Sequence, residues 1–411
     1  IKNRGYEVFR NVIRDTIQKS LEDNKKQNMK LDILMEVYID IKMNIVENKE
    51  AINDFIDCVI EISDSVNSDN WNGEDVMGIF FNEFNRYKKK SESGQVFTPD
   101  HITSLMYKIL EVNANDKILD AACGSGAFLV KSMSNMIKEV GGINTKEAKK
   151  IKEHSLFGIE FDREIFALAC ANMMIHKDGK TNLEQLDSRD KEASEWIKSK
   201  GITKVLMNPP FERKYGCKKI VENVLNSVPS GIKCAFIMPE KKMEKDKMGK
   251  LLEKHHLEAI IKLPEKLFDA GVTTSIYVFE TGKKQVGEIY GCYIEDDGLE
   301  RVKNQGRQDI KDKWMELENY WVDSIRKRND TKYGTSQWID PKKFLSYQKP
   351  KAEFVLYEED FVKTMMNYLM FKNKIDVKEF SDKLINKTLY NSEILKEDNN
   401  IVIKIKDAED E

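Results

Sequence analysis

Asn208-Pro209-Pro210-Phe211 is the stretch of this sequence best suited to chemistry on a planar nitrogen. Two consecutive prolines fix φ and remove two N–H donors, so the carbonyls at this bend are left to accept. Asn208 adds a side-chain carbonyl beside them. Two acceptors aimed at one point suit an exocyclic amino group, whose lone pair is otherwise delocalised into an aromatic ring. Holding both its N–H groups favours a tetrahedral nitrogen and aims the lone pair at an electrophile such as a methyl sulfonium. The gain is positioning and preorganised electrostatics. Phe211 offers a stacking face for a base swung out of a duplex.

A second group of residues suits the donor of such a methyl. Lys117-Ile118-Leu119-Asp120 reads as a strand that runs into Ala121-Ala122-Cys123-Gly124-Ser125-Gly126 and then a helix. Glycines at that turn let backbone N–H groups and the helix start approach a ligand closely. A tight strand-to-helix turn would explain the glycines equally well, and the acid before them is the more telling feature. A phosphate loop avoids a carboxylate such as Asp120, whereas the cationic amine of a methionine moiety would welcome one. No G-x-x-x-x-G-K-[ST] occurs, which excludes a Walker-type NTPase. Further on, Glu160 ends a strand and could accept from both hydroxyls of a ribose, with Phe161 packing on an adenine ring. The competing reading makes Asp162 a helix N-cap and leaves Glu160 merely exposed. Asp187 could accept from the adenine amino group of the same ligand.

Elements must place these residues together. From about residue 115, short apolar runs alternate with amphipathic stretches. Strands are expected at Lys117–Asp120, Leu156–Glu160, Lys204–Met207, Cys234–Met238, Ala259–Leu263, Ser275–Phe279 and Ile289–Ile294, and helices at Gly126–Val140 and Arg163–His176. This alternation predicts an α/β fold with a mostly parallel, doubly wound, Rossmann-like sheet, whose ligands bind beyond the carboxyl ends of the strands. Residues 1–90 read as a helical N-terminal domain. There Tyr6, Phe9, Ile13, Ile17 and Leu21 recur at helical steps, and proline is absent before Pro99. Residues 91–345 form the expected catalytic domain. Residues 346–411 form a short helical C-terminal extension with a polar, acidic, frayed tail. Because the first residue is Ile1 rather than Met, further native residues are expected upstream.

Bulk properties narrow the class. The 411 residues suffice for more than one core, and 40% hydrophobic with 33% charged residues is the composition of a globular protein. No apolar run approaches the ~20 residues of a membrane span, and no signal-peptide core is evident at the start. The six cysteines are scattered without a C-x-x-C pair, which indicates a reducing cytoplasm rather than a disulfide framework. The histidines show no metal-ligand spacing, so no metal is expected. Net charge is −3, yet Arg213, Lys214, Lys218 and Lys219 follow the N-P-P-F stretch directly and are the expected DNA contacts.

Taken in chain order, these motifs resemble the N6-adenine DNA methyltransferases, in particular the methylation subunit of type I restriction–modification systems. Gly94-Gln95-Val96-Phe97-Thr98-Pro99 is similar to the family's G-x-F-F-T-P segment, which closes over the methionine end of the cofactor. Asp120 through Gly126 resembles its D-P-A-C-G-S-G loop, with Ala121 in place of the proline. Glu160 resembles its ribose acid, and Asn208 to Phe211 its catalytic N-P-P-F. Leu263-Pro264 with Phe268, then Gly271 to Ser275, resembles the later segment that shapes the base pocket.

The resemblance covers about residues 90 to 335. It implies S-adenosyl-L-methionine as cofactor, held by Phe97, Thr98, Pro99, Asp120, Ala122, Gly124, Gly126, Glu160, Phe161 and Asp187. It implies transfer to N6 of a flipped adenine at Asn208, Pro209, Pro210 and Phe211. Double-stranded DNA, a separate specificity subunit and a second copy of the chain are the implied partners. The short stretch after 345 fits docking to such a subunit, and equally a stand-alone enzyme whose recognition region is truncated. Other planar-nitrogen acceptors remain alternatives: N4 of cytosine, ribosomal RNA guanine and protein glutamine. So does a non-catalytic nucleic-acid-binding subunit that keeps the fold. C5-cytosine chemistry is disfavoured, since no proline precedes a cysteine.

Overall fold

The computed structural model describes residues 49–71, 73–79, 98–176, 182–211, 216–244, 249–265, 267–268, 272–302, 306–350, 357–390, 392–397 and 400–405, with isolated positions 8, 11, 12, 15 and 19. The chain divides into two compact units, residues 1–348 and residues 349–411. Most of the stretch expected as a helical N-terminal domain lies outside the described residues; α1 (Lys49–Val66) is its longest described element.

The first unit is built on β1 (Ile118–Asp120), β2 (Leu156–Glu160), β3 (Asn182–Gln185), β4 (Lys204–Met207), β5 (Lys233–Pro239), β6 (His256–Lys262), β7 (Thr274–Glu280), β8 (Ile289–Tyr293) and β11 (Ser336–Ile339). These make one sheet in the order β11-β8-β6-β7-β5-β4-β1-β2-β3. Pairing is parallel from β3 through β2, β1 and β4 to β5. Strand β7 is antiparallel to both β5 and β6, and β8 lies parallel to β6. The mixed α/β sheet agrees with the expected fold class. A further hairpin, β9 (Glu300–Val302) with β10 (Gly306–Gln308), stands apart from it.

The strands read as apolar runs because both faces are covered. Ile118, Leu206, Ala235 and Ile237 belong to one hydrophobic cluster, and Leu119, Val205, Met207, Cys234, Phe236 and Met238 to another. Successive residues thus enter opposite cores, as the two-residue period of a strand requires. Helices α2 (Asp100–Ile109), α3 (Ala127–Glu139), α4 (Lys146–His154) and α5 (Arg163–Ile175) supply the first cluster, and α6 (Lys191–Lys198) and α7 (Cys217–Ser227) the second. α8 (Trp314–Lys327) adds Trp321 and Ile325 to the first. Strand order reverses at β1, whose neighbours are β2 and β4, so the carboxyl ends of β1 and β4 flank one crevice.

The second unit holds α9 (Glu358–Lys372), α10 (Val377–Tyr390) and an antiparallel hairpin of β12 (Ser392–Glu397) with β13 (Asn400–Ile405). The hairpin corrects the expectation that the end of this helical extension is a polar, frayed tail. Ile401, Val402 and Ile403 are β-branched and suit a strand. Among the described residues no helix is long and apolar enough to cross a membrane.

Candidate active site

At the tip of β1 the Asp120 carboxylate is 1% exposed and accepts from Ala122 N at 3.1 Å. Burial pushes its pKa up to about 8, the Ala122 bond opposes this, and the nearby Glu160 charge reinforces it. The turn that follows needs its glycines. Gly124 has φ +55° and Gly126, the N-cap of α3, has φ +95°. A Cβ built on Gly124 would meet nothing within 4 Å, so its bare Cα faces open space.

Glu160, at the tip of β2, reaches back to the same turn. Its Oε2 accepts from Gly124 N at 3.0 Å and its Oε1 from Asp162 N at 2.9 Å. Burial pushes this carboxyl upward too, against those two backbone bonds. Asp162 is indeed an N-cap, taking the N–H groups of Glu164 at 3.0 Å and Ile165 at 3.1 Å. Glu160, however, is a bonded part of the glycine turn and not the merely exposed residue of the competing reading.

The residues expected around an adenine ring are less uniform. Phe161 is 55% exposed and presents a ring face, with the Arg189 guanidinium 5.8 Å from its centroid. Asp187 is held by Arg189, which donates from Nε at 2.8 Å and from its own backbone N at 2.9 Å. Those bonds keep the Asp187 carboxyl below the usual carboxylate range. Its expected role as an acceptor for an adenine amine therefore competes with an existing partner. Phe97 lies outside the described residues; Thr98 and Pro99 are described, and Pro99 caps α2 with its carbonyl accepting from Ile102 N at 3.0 Å.

Across the crevice, Asn208 follows β4. Its Nδ2 donates to Thr98 Oγ1 at 2.9 Å, while its Oδ1 is buried with no hydrogen-bond partner among the described residues. An orphaned buried acceptor is costly and marks either strain or a place meant for a donor. Pro209 is buried and Pro210 half-buried. Phe211 is 8% exposed and meets Phe268 edge-on, with centroids 5.4 Å apart. The ring expected as an open stacking face is thus buried and packed against another aromatic ring.

Of the expected DNA contacts, Arg213 and Lys214 lie outside the described residues. Lys218 pairs with Glu222 at 3.4 Å along α7, and Lys219 is exposed.

Sequence reading passed over several residues of the site. Ser125 and Asn172 are buried beneath the glycine turn, and Asp75 joins them there. Arg189 and Ser188 close the loop after β3, Ser188 Oγ donating to the Ala121 carbonyl. The one available signal was the acid of Gly73-Glu74-Asp75, a polar run ahead of the T-P segment.

The donor set fits the group that the sequence implies. One buried carboxylate suits a cationic amine, a second beside a glycine turn suits a diol, and the exposed Phe161 face suits an adenine. Residues 72–230 match the family described as N-6 DNA Methylase. The chain is 30% identical over 340 residues to the type II restriction enzyme and methyltransferase RM.BcgI of Heyndrickxia coagulans, covering 76% of this chain and 51% of that protein. It is 22% identical over 215 residues to the type I restriction enzyme EcoEI methylase subunit of Escherichia coli, covering 46% and 43%. One chain of a type I R-M system, solved for its complex assembly and conformational transition, shares the fold over 90% of this chain and 82% of its own, with TM-score 0.59 and 17% identity. The chain spans about half the length of the curated relatives it matches.

Proposed function

We propose that this chain, whose residues 72–230 match the N-6 DNA methylase family, methylates N6 of adenine in DNA, as the modification component of a type I-like restriction–modification system. The buried, unpartnered Oδ1 of Asn208, beside the Pro209-Pro210 bend, carries this reading. It is an acceptor built into the crevice with no donor among the described residues, and an exocyclic amine would supply one.

When bound, S-adenosylmethionine supplies an electrophilic methyl on a sulfonium. Asp120 would hold its amine, Glu160 its ribose hydroxyls, and Gly124 and Gly126 leave room for it, with Phe161 available to its adenine. Thr98, Pro99 and Ala122 would line the approach, and the same role is proposed for Phe97, which lies outside the described residues. Asn208 Oδ1 and the Pro209 carbonyl take the two N–H groups of the acceptor amine. They withdraw its lone pair from the ring and fix where it points. Phe211 and Phe268 would part to admit a flipped base. Lys219, with Lys218, Arg213 and Lys214, would meet the phosphate backbone. The partners of this reading are double-stranded DNA, a specificity subunit and a second copy of the chain, in the cytoplasm.

The test is methyl transfer from labelled S-adenosylmethionine to DNA, followed by nucleoside analysis, with the chain alone and with a specificity-subunit partner. N6-methyladenine is the expected product. Cofactor binding without any DNA methylation would instead direct the activity to RNA or protein nitrogen.

A further inference from the structure

We infer that Asp75 is a positioning residue of the cofactor site, clasping the glycine turn from beneath. The inference rests on the reading of that turn as a cofactor loop. Ser125 stands between the two positive-φ glycines, and its Oγ donates to Asp75 Oδ2. The Ser125 carbonyl accepts from Asn172 Nδ2 at 2.9 Å. The same Nδ2 donates to Asp75 Oδ1 at 2.8 Å, and Gly78 N donates to Oδ1 at 2.8 Å. One carboxylate thus ties three separate pieces of chain: its own turn, the glycine loop, and the helix that starts beside Glu160.

Two features show that the clasp is built and not incidental. Asn172 is fully buried and leaves its Oδ1 with no partner among the described residues. An orphaned buried acceptor costs free energy, so its amide is turned the way the clasp requires. Upstream, Gly73 has φ +75°, and a Cβ there would stand 2.7 Å from Ser134 Cβ and 3.1 Å from Lys131 Cα. Only glycine lets the turn that carries Asp75 lie this close against α3.

The consequence is a division of labour. Glu160 holds the turn from the ligand's side through Gly124 N, and Asp75 holds it from the core side through Ser125. Neither Asp75 nor Asn172 needs to touch a ligand. They set the direction of the loop amides that do, which is how a supporting shell fixes a site.

The test is calorimetric titration of the full chain with S-adenosylmethionine, for wild type, Asp75→Ala, Ser125→Ala, the double variant and Asp75→Asn. Asp75→Ala should weaken binding about tenfold, and the double variant should be no weaker than Asp75→Ala, since both remove one contact. Asp75→Asn should recover part of the loss, because the Ser125 hydroxyl can turn to accept. Hydrogen exchange of the cofactor-free chain should quicken at residues 124–126 in Asp75→Ala. A merely structural role would lower the melting temperature while leaving the folded chain's affinity and this exchange unchanged, and that result would overturn the inference. If Asp75→Ala does not fold, wild-type affinity in Ser125→Ala overturns it instead. Wild-type chain that does not bind the cofactor would sink the cofactor reading and this inference together.

Discussion

The two sides of the crevice are built on opposite plans. On the β1–β2 side, both carboxylates already accept from backbone N–H groups, Asp120 from Ala122 and Glu160 from Gly124 and Asp162. On the β4 side, Asn208 is tied by one side-chain bond to Thr98, and its carbonyl has no partner among the described residues. The first side is held by the main chain through these bonds. The second is held at one point and keeps its strongest acceptor unspent. A site that must receive the same cofactor at every turnover gains from rigidity. On the proposed function, the second side takes a base out of a duplex and lets it go, and gains from an acceptor that is satisfied by the incoming amine.

The largest expected effect lies on the β4 side. Asn208→Ala should lower kcat by about a hundred- to a thousandfold, the usual cost of deleting one preorganised hydrogen-bonding group at a reacting centre. Calorimetric affinity for S-adenosylmethionine should stay within a few fold. Near-normal turnover would break the contrast, because the unspent acceptor would then have no chemical duty. The converse experiment is Asp120→Ala, which should raise the cofactor Kd by about ten- to a hundredfold, as expected for losing a charge-assisted bond. Unchanged Kd would mean that the β1–β2 side holds the ligand by other groups.

How much of this contrast was legible in the sequence follows from chain distance. Asp120, Gly124, Gly126 and Glu160 lie at strand tips, where apolar runs end abruptly, and local pattern suffices to place them. Strand β3 was missed because Leu183 is its only apolar residue, and as an edge strand it is half-covered. The β12–β13 hairpin was hidden because β12 holds only the adjacent Ile394 and Leu395 among polar and charged residues, and β13 a short apolar run, so neither strand shows a two-residue alternation. Within the site, the clasp of Asp75 on Ser125 spans 50 positions and that of Thr98 on Asn208 spans 110. No window of sequence reports such pairs. The Arg189 grip on Asp187 is only two residues long, yet it was equally invisible, since nothing in D-S-R says that the guanidinium folds back. Phe211 shows a further limit: its ring is recognisable as a stacking partner, but its edge contact with Phe268 is a fact of packing alone.

Thr98 sharpens the comparison. The resemblance places it on the cofactor, whereas the structure hangs Asn208 from its hydroxyl at 2.9 Å. Thr98→Val keeps the shape and removes the acceptor, freeing the Asn208 amide to rotate. Turnover should fall about tenfold, the upper range for one neutral hydrogen bond, with the cofactor KM little changed, and Thr98→Ser should restore it. A raised KM at constant kcat would move Thr98 to the cofactor side of the crevice.

The smallest effect tests the β1–β2 side through its charge. In the ligand-free chain the Asp120 carboxyl titrates at about 8, so at pH 7 it is mostly protonated. A cationic amine needs the carboxylate, so binding at pH 7 should release most of one proton. Affinity should therefore rise with pH and level off above about 8. For one group titrating there, the gain from pH 7 to pH 8 is about fivefold. Calorimetry in buffers of different ionisation enthalpy counts the proton directly. The same linkage fixes the sign for stability. A folded-state pKa above the unfolded value of about 4 makes the folded chain bind more protons, so the contribution of Asp120 is fully present below that value and is lost as pH rises through about 8. Saturating cofactor should remove this loss, because the carboxylate then has a cation beside it. Asp120→Asn should abolish both the proton release and the pH dependence of binding. If they persist in that variant, the titrating group is Glu160, whose carboxyl is also raised by burial, and the amine-holding role passes to the ribose side of the turn.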